Sequence, residues 1–594
     1  MHGNIIRICL VLAMTVLVAA CQSSNPIQNT QLNDQHPLKL GQGVVALELI
    51  NNTDRLGNLH PNWGEVIIIR IDNEEQRKQA AIAKAKEKAL KKGKTFDPEA
   101  VDWEHEYFSL RPNSKGTVSS QLFVGAMPEG EYLIGSLYSY YNDGNMSSWI
   151  TMPVFQSAGV FEVKATQLTN LGTIVFQPLL NTKEPSFWSN RTEQRAYVTR
   201  LSGDTDLAPF VKHHYQNLAS SMDFSSINSW KEDPFTELRA KLGSLSKSNA
   251  YGERAIALQG SELNALAARF GLLHLINGQG DLTTESLPTS SQLTSSLHFQ
   301  GNLLVGSERG LLFSKAQNGQ WQSSQPISAK EAFVWLGSAN GFGYALASSQ
   351  KQHVLYRFAG ADTRWQKIGE FKKKANNNWL VQNGGLFVFF DAQGEPKIIN
   401  DNKLLSFNEA TNSWQATKYK SFKKFSQLKT GELIAVEVSQ WDGFGDQVIS
   451  LDYGQSWQTI ERSTRLFGDA KADATLPALL PNNQIASVGR VKTVKGSKKN
   501  KLRIITADIQ NASDKTKWTP HGELKANCST QLAELTQGST LFFLCDQGQV
   551  VSTSDLGQSW DVRIDIDIAR MQAQYEAFLA SQKKEAKANS DEKL

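Results

Sequence analysis

A chain of 594 residues with a formal net charge of +4 has too little overall charge to argue for a polyanionic partner, so only the local clustering of lysines carries information. Its four cysteines show no zinc-like spacing to histidine, and nothing calls for a metal or cofactor. Past the N-terminal run no segment approaches about 18 apolar residues, the length a spanning helix needs.

At the N-terminus Arg7 precedes an apolar run from Ile8 to Val18, followed by Val18-Ala19-Ala20-Cys21. The run is too short to span a membrane. The segment resembles a bacterial lipoprotein signal with its lipobox. That resemblance implies a signal peptide over 1–20, cleavage before Cys21 and a lipid on Cys21. In such families an Asp after the cysteine favours the inner membrane; Gln22 points instead to the outer membrane, facing either the periplasm or the outside. The competing reading is a plain secretory signal with an incidental cysteine. Residues 21–42, rich in Gln, Asn, Ser and Pro, predict a flexible tether.

Residues 43–180 predict a β-sandwich of seven or eight strands. The runs are Val44 to Ile50, Val66 to Ile71, Tyr107 to Leu110, Ser119 to Val124, Tyr132 to Tyr138, Ile150 to Phe155, Val160 to Val163 and Thr173 to Phe176. Met127-Pro128-Glu129-Gly130-Glu131-Tyr132 and Asn170-Leu171-Gly172-Thr173-Ile174 resemble small transthyretin-like sandwiches of envelope lipoproteins. An Ala/Lys/Glu-rich insertion, Glu74 to Lys92 with Gly93 as its stop, predicts a helix. Its end is basic through Lys84, Lys86, Lys88, Lys91, Lys92 and Lys94. A solvated surface helix is the plainer reading; an electrostatic arm for anionic lipid or polysaccharide is the other.

Residues 181–253 predict a helical linker, with Leu207 to Leu218 and Phe235 to Leu245 packed on the side of the following domain. From 254 to 566 the chain repeats. Trp321, Trp365, Trp414, Trp457, Trp518 and Trp560 are 44, 49, 43, 61 and 42 residues apart, each after a polar turn and an apolar run. Leu272 to Ile276 with Asn277-Gly278 starts the series, and Asp281 takes the place of its tryptophan. Units of this length built from short strands predict a propeller of seven blades, with six or eight as neighbouring counts. The fold class is therefore all-β: a β-sandwich, then a seven-bladed β-propeller, with short linking and C-terminal helices.

Two of the turns are nearly identical: Ser450-Leu451-Asp452-Tyr453-Gly454-Gln455-Ser456-Trp457 and Thr553-Ser554-Asp555-Leu556-Gly557-Gln558-Ser559-Trp560. The carboxylate can accept backbone N–H groups inside the turn, the glycine allows positive φ, and the tryptophan packs between sheets. Both resemble the Asp box, or BNR repeat, of sialidase-like β-propellers. Cys528 and Cys545 lie nearly symmetrically about Thr536-Gln537-Gly538, which predicts a disulfide between adjacent strands, with two buried free thiols as the alternative. Residues 567–594 predict a helix, striped by Ile568, Met571, Tyr575, Phe578 and Leu579, and a charged tail frayed from Lys583.

The sequence carries no catalytic signature. Sialidases use an Arg triad and an Arg-Ile-Pro motif, which is missing here, and no Gly-x-Ser-x-Gly, His-Glu-x-x-His or phosphate loop occurs. A non-catalytic binding or assembly scaffold is the expected function, with a sialidase-like or glycosidase-type glycan-processing enzyme as the alternative. The expected surface is the propeller rim opposite the Asp-box turns. Lys372, Lys373 and Lys374 lie on one inter-blade link, Lys418, Lys420, Lys423 and Lys424 on the next, and Lys495, Lys498 and Lys499 on a turn of blade six. Such clusters suit an anionic polysaccharide or an acidic protein; the envelope address disfavours nucleic acid. Ordinary solvent-facing lysines are the plainer reading. Trp441, Asp442, Phe444 and Asp446 form a second possible contact on that rim.

Overall fold

The computed structural model describes residues 27–591 except 54–61, 94, 100, 102, 115–119, 143–146, 181–193, 202–206, 257–262, 279, 316–318, 350, 362–363, 374–385, 409–410, 412, 439–444, 461–474 and 492–500. Cys21, Lys374, Trp441, Asp442, Phe444, Lys495, Lys498 and Lys499 lie outside the described residues.

The N-terminal part contains two six-stranded sheets. In the first, strands Gln28–Asn29, Tyr107–Leu110, Trp63–Arg70, Gly130–Asn142 and Ser147–Pro153 run side by side, and Val160–Val163 pairs with Gly130–Asn142. In the second the order is Gln194–Leu201, Gln167–Leu180, Gln42–Asn51, Ser120–Pro128 and Pro112–Ser114, with Asp223–Asn228 on Gln167–Leu180. Strand periodicity assigns the layers. Val45, Leu47 and Leu49 share one buried cluster with Val66, Ile68, Phe108, Ile134 and Phe161 of the first sheet. Val44, Ala46, Glu48 and Ile50 point the other way and are equally buried.

That second face is covered from three sides. Helices Leu207–His214 and Gln216–Ala219 cover Val44, Ala46 and Leu168. Ala268, Phe270 and Leu272 of the repeat region cover Ile50 and Val175. Helices Thr236–Ser248 and Ile568–Asp591 cover Leu179 and Tyr197 through Leu242, Met571 and Phe578.

Four expectations are corrected here. The supposed tether is folded from Gln28 onward: Gln28 and Asn29 pair in parallel with Phe108 and Ser109, and buried Thr30 donates to the Ser109 carbonyl at 2.8 Å. The supposed linker contributes strands Gln194–Leu201 and Asp223–Asn228 to the second sheet. Its helices pack on that sheet rather than on the side of the repeats, because their apolar residues meet Val44, Ala46, Leu179 and Tyr197. The C-terminal helix continues past Lys583 to Asp591, with Met571 and Phe578 buried and Leu579 exposed. The insertion forms helix Glu74–Lys91, and Gly93 follows it at φ 64°.

From Gly252 to Ile564 the chain forms seven consecutive four-stranded antiparallel sheets, each in sequence order: 252–286, 293–324, 332–372, 386–418, 422–460, 478–523 and 530–564. In sheets two to seven the repeating tryptophan stands at, next to or just before the start of the fourth strand; in sheet one Asp281 precedes Leu282–Ser286. Each tryptophan packs into a cluster drawn from its own sheet and the preceding one. Trp321 joins sheets one and two, Trp365 two and three, Trp414 three and four, Trp457 four and five, while Trp518 and Trp560 enter a cluster spanning five to seven. The seventh sheet also meets the first: Leu532, Leu535, Phe542, Leu544 and Val550 share a buried cluster with Leu266 and Ile276. Asn264 donates to the Leu535 carbonyl at 3.0 Å, and Gln537 donates to that of Ile276 at 3.3 Å. Cys528 and Cys545 form a disulfide at the ends of the first two strands of sheet seven.

Candidate functional site

The sheets present two rims. On one lie the turns joining strands one to two and three to four, including both Asp boxes. On the other lie the turns joining strands two to three and the links between sheets.

The Asp boxes superimpose in chemistry bond for bond. Ser450 Oγ donates to Asp452 Oδ1 (2.7 Å) and accepts from the Gly454 N–H (2.8 Å); Asp452 accepts from the Ser456 N–H (2.8 Å) and Ser456 Oγ (2.5 Å). Thr553, Asp555, Gly557 and Ser559 repeat the pattern at 2.8, 2.8, 2.9 and 2.6 Å. These bonds favour the ionised carboxylate. Hydrogen bonds from Ser559 and Thr553 hold Asp555 down to about 2. Desolvation pulls Asp452 the other way, but the Ser456 and Ser450 bonds win and its pKa is also lowered. Gly454 and Gly557 adopt φ 85° and 87°, and the preceding Tyr453 and Leu556 are left-handed too, at 55° and 56°. Trp457 Nε1 donates to Tyr419 Oη (2.7 Å), which in turn donates to the Gly454 carbonyl (2.6 Å), tying the box to the chain leaving sheet four. The carboxylates are saturated by their own turns, so the boxes are architectural.

The opposite rim carries the described lysines of that set, Lys372, Lys373, Lys418, Lys420, Lys423 and Lys424, and the N-terminal part sits on it over sheets one and two. Ser290, on the link from sheet one to sheet two, and Arg309, between strands two and three of sheet two, both bond to Glu48. Arg269, at the equivalent turn of sheet one, donates to the Asn51 carbonyl.

The lysines do not form one uniform surface. Lys372 ends strand Gln366–Lys372 and is exposed. Lys373 is 6% exposed and donates to Ser348 Oγ at 3.2 Å, so it belongs to the interior and not to a solvent-facing cluster. Burial lowers its ammonium pKa to about 8. Beside it His353 is buried with neither ring nitrogen hydrogen-bonded, and burial, then Lys373, hold its pKa down to about 4. Lys420 pairs with Glu437. Lys423 and Lys424 lie inside strand Phe422–Gln427; a bulge there turns both outward. The carbonyl of Asp446, one residue before strand Gln447–Ser450, accepts from the Glu437 N–H at 2.8 Å.

Lys418 has a partner the sequence did not mark. It stands directly across from Lys403 in the pairing of strands Lys403–Asn408 and Ser413–Lys418. Both are exposed, and with Asn402, Ala416 and Thr417 they line a shallow cavity of about 230 Å³. Like charges directly opposed across strands repel, and an anion between them relieves that repulsion. Register alone could have found Lys403, but only once the hairpin turn at Asp401-Asn402 was placed.

Four arginines of the repeats have separate partners. Arg309 meets Glu48, Arg503 meets Glu523, Arg563 meets Ser552, and Arg357 lies over the Phe342 ring. They stand on sheets two, six, seven and three and do not converge as carboxylate capture requires. Among the described residues no group of three or more His, Cys, Asp or Glu is placed to hold a metal.

No protein-family model matches the chain, and no curated protein matches it. Similar solved structures include YCF48 bound to D1 peptide, 12% identical, covering 51% of this chain and 93% of its own at a TM-score of 0.34. Virginiamycin B lyase from Staphylococcus aureus is 12% identical and covers 51% of this chain and 94% of its own at 0.33. The β-propeller domain of Myceliophteria thermophila Cps50 is 9% identical, covering 51% and 97% at 0.32. By its own strands the chain is mostly β, and β-propellers are among the structures similar to it.

Proposed function

We propose that this protein is an outer-membrane lipoprotein, anchored by a lipid on Cys21, that works as a binding or assembly scaffold and not as a catalyst. In this reading the two six-stranded sheets are a β-sandwich and the seven four-stranded sheets are the blades of a closed propeller. Supporting closure, each sheet shares a buried cluster with the next, and the seventh with the first. The ligand is an anionic group, from an acidic polysaccharide or an acidic protein segment, held on the rim that also carries the sandwich.

The observation that carries the binding site is the opposed Lys403–Lys418 pair lining a cavity. Exposed Lys372, Lys423 and Lys424 extend the positive potential on either side. A sialidase-like glycan-processing activity needs arginines that converge, and Arg309, Arg357, Arg503 and Arg563 are spent on separate contacts. Capture on polygalacturonate beads at rising salt tests the site. The wild-type chain is retained and eluted by salt, and Lys403→Glu with Lys418→Glu abolishes retention. Unchanged retention by that variant, or release of shortened oligosaccharides from the beads, contradicts the reading.

A further inference from the structure

Helix Glu74–Lys91 is 18 residues long and buries none of them. At 1.5 Å per residue that is a rod of about 27 Å. Most helices in proteins owe their stability to a packed apolar face, and this one has no buried residue to pack. Its root is secured: the Arg77 guanidinium donates to the carbonyls of Asp72 (3.0 Å) and Arg70 (3.2 Å). Its far half buries no side chain, and the exposed residues there include Lys84, Lys86, Glu87, Lys88, Leu90, Lys91 and Lys92. Glu87 is the one acidic side chain among them and already pairs with Lys91 at 2.6 Å. At about 100° per residue Lys84, Lys88 and Lys91 share one face, whereas Leu90, 66% exposed, lies on the other side beside Lys86.

The position of the helix gives this patch a direction. Gln28 pairs in parallel with Phe108, and Asn29 with Ser109. The chain before Gln28 therefore leaves beside Tyr107, whose partner across the sheet is Ile69. Arg70 follows, its N–H bonded to the Glu106 carbonyl, and the helix starts at Glu74. The N-terminus and the root of the basic helix thus emerge from the same end of the same sheet. Seven residue steps separate Cys21 from Gln28 and reach at most about 25 Å.

We propose that the helix Glu74–Lys91 lies on the anionic phospholipid surface that holds the lipid anchor, as a second membrane contact that fixes how the body stands on the bilayer. The proposal rests on the lipoprotein reading for its geometry. One acyl-type anchor fixes a point and leaves the body free to swing; a basic patch at a distance from it fixes an orientation. Lys84, Lys88 and Lys91, on one face, meet the lipid phosphates.

The test uses the lipidated full chain carrying Lys91→Cys, on the face of Lys84 and Lys88. Its other mature cysteines are the anchor and the disulfide, so this thiol alone takes an environment-sensitive fluorophore. The protein is reconstituted into phosphatidylcholine vesicles with or without phosphatidylglycerol, each containing headgroup-labelled quencher lipid. Quenching is expected in the anionic vesicles only, weakened by salt and lost in a variant with Lys84, Lys86, Lys88 and Lys92 changed to Gln. Each lysine removed is expected to weaken the contact roughly fivefold. Changing Lys515 and Lys517 to Gln on sheet six should leave quenching intact. A chain that sediments with both vesicle types but is quenched in neither, or equally in both, overturns the helix contact and leaves the anchor standing. A chain that sediments only with anionic vesicles supports the helix and contradicts the lipid on Cys21.

Discussion

Arg309 of the second repeat sheet reaches across the domain boundary to the carboxylate of Glu48, and both side chains are buried. Ser120 and Ser290 donate to the same carboxylate, one from each side of the boundary. Arg309 is placed for this by a left-handed backbone at φ 64°, followed by Gly310 at φ 67°. The rim that carries the lysines is therefore fixed relative to the N-terminal sheets by a buried charge pair.

Removing one partner leaves the other charged and dry. Glu48→Gln or Arg309→Met is expected to destabilise the chain by about 3–5 kcal/mol, with the double variant recovering part of the loss. Urea unfolding followed by tryptophan fluorescence measures it. Limited proteolysis of either single variant should free the N-terminal part from the repeats. The same pair predicts an acid effect. Burial raises the Glu48 pKa, but Arg309, Ser120 and Ser290 outweigh it and the net shift is downward. A carboxyl with a lowered folded pKa stabilises fully above its unfolded value and loses that stabilisation as pH falls through the folded one. The interface should thus hold throughout neutral and mildly acidic pH and open only below the ordinary glutamate range.

Buried His353 acts with the same sign over a different window. Its folded pKa of about 4 lies below the unfolded value of about 6.5, so the unfolded chain binds the proton first. Stability is complete above about pH 6.5 and is expected to decline toward pH 4 by a few kcal/mol, on the order of 3 from this residue. His353→Leu should flatten that decline, as read from thermal midpoints across the pH range, leaving the contribution of buried His274.

The two Asp-box glycines separate backbone strain from crowding. Both need positive φ, which costs a β-carbon about 1–2 kcal/mol. At Gly557 an added Cβ meets nothing closer than 3.2 Å, whereas at Gly454 it meets Tyr419 Oη at 2.6 Å. Gly454→Ala should therefore be clearly the more destabilising in denaturant titrations, and Tyr419→Phe should narrow the difference.

The disulfide closes a separation of 17 residues within sheet seven. Loop entropy for such a length is about 3 kcal/mol. Replacing Cys528 and Cys545 together by Ser should lower the unfolding midpoint by a corresponding amount, and reducing agent should have no further effect on that variant.

What the sequence made legible was local. Each repeat carries its own apolar third strand and polar turn, and all but the first its tryptophan, so the units could be counted without knowing how they meet. The disulfide was legible because both cysteines flank one turn. The domain contact was not, because Glu48 and Arg309 are 261 residues apart. Its one trace is a lone glutamate inside the apolar run Val44 to Ile50, a strand buried on both faces. The lysine cluster was overread for a similar reason. Composition cannot distinguish Lys373, turned inward to Ser348, from Lys372 beside it, and it cannot reveal Lys403 until strand register sets it against Lys418. The polar residues Gln28 and Asn29 gave no strand signal because their pairing is an edge contact made by backbone alone.

The account stands or falls on the seventh sheet closing against the first. A photo-activated crosslinker placed at Leu282, which packs against the cluster that Leu532, Leu544 and Val550 share with Leu266 and Ile276, reads that contact in solution. The expected product joins sheet one to a peptide from within 530–564. Adducts confined to sheets one and two, with none to sheet seven, would contradict the closed ring.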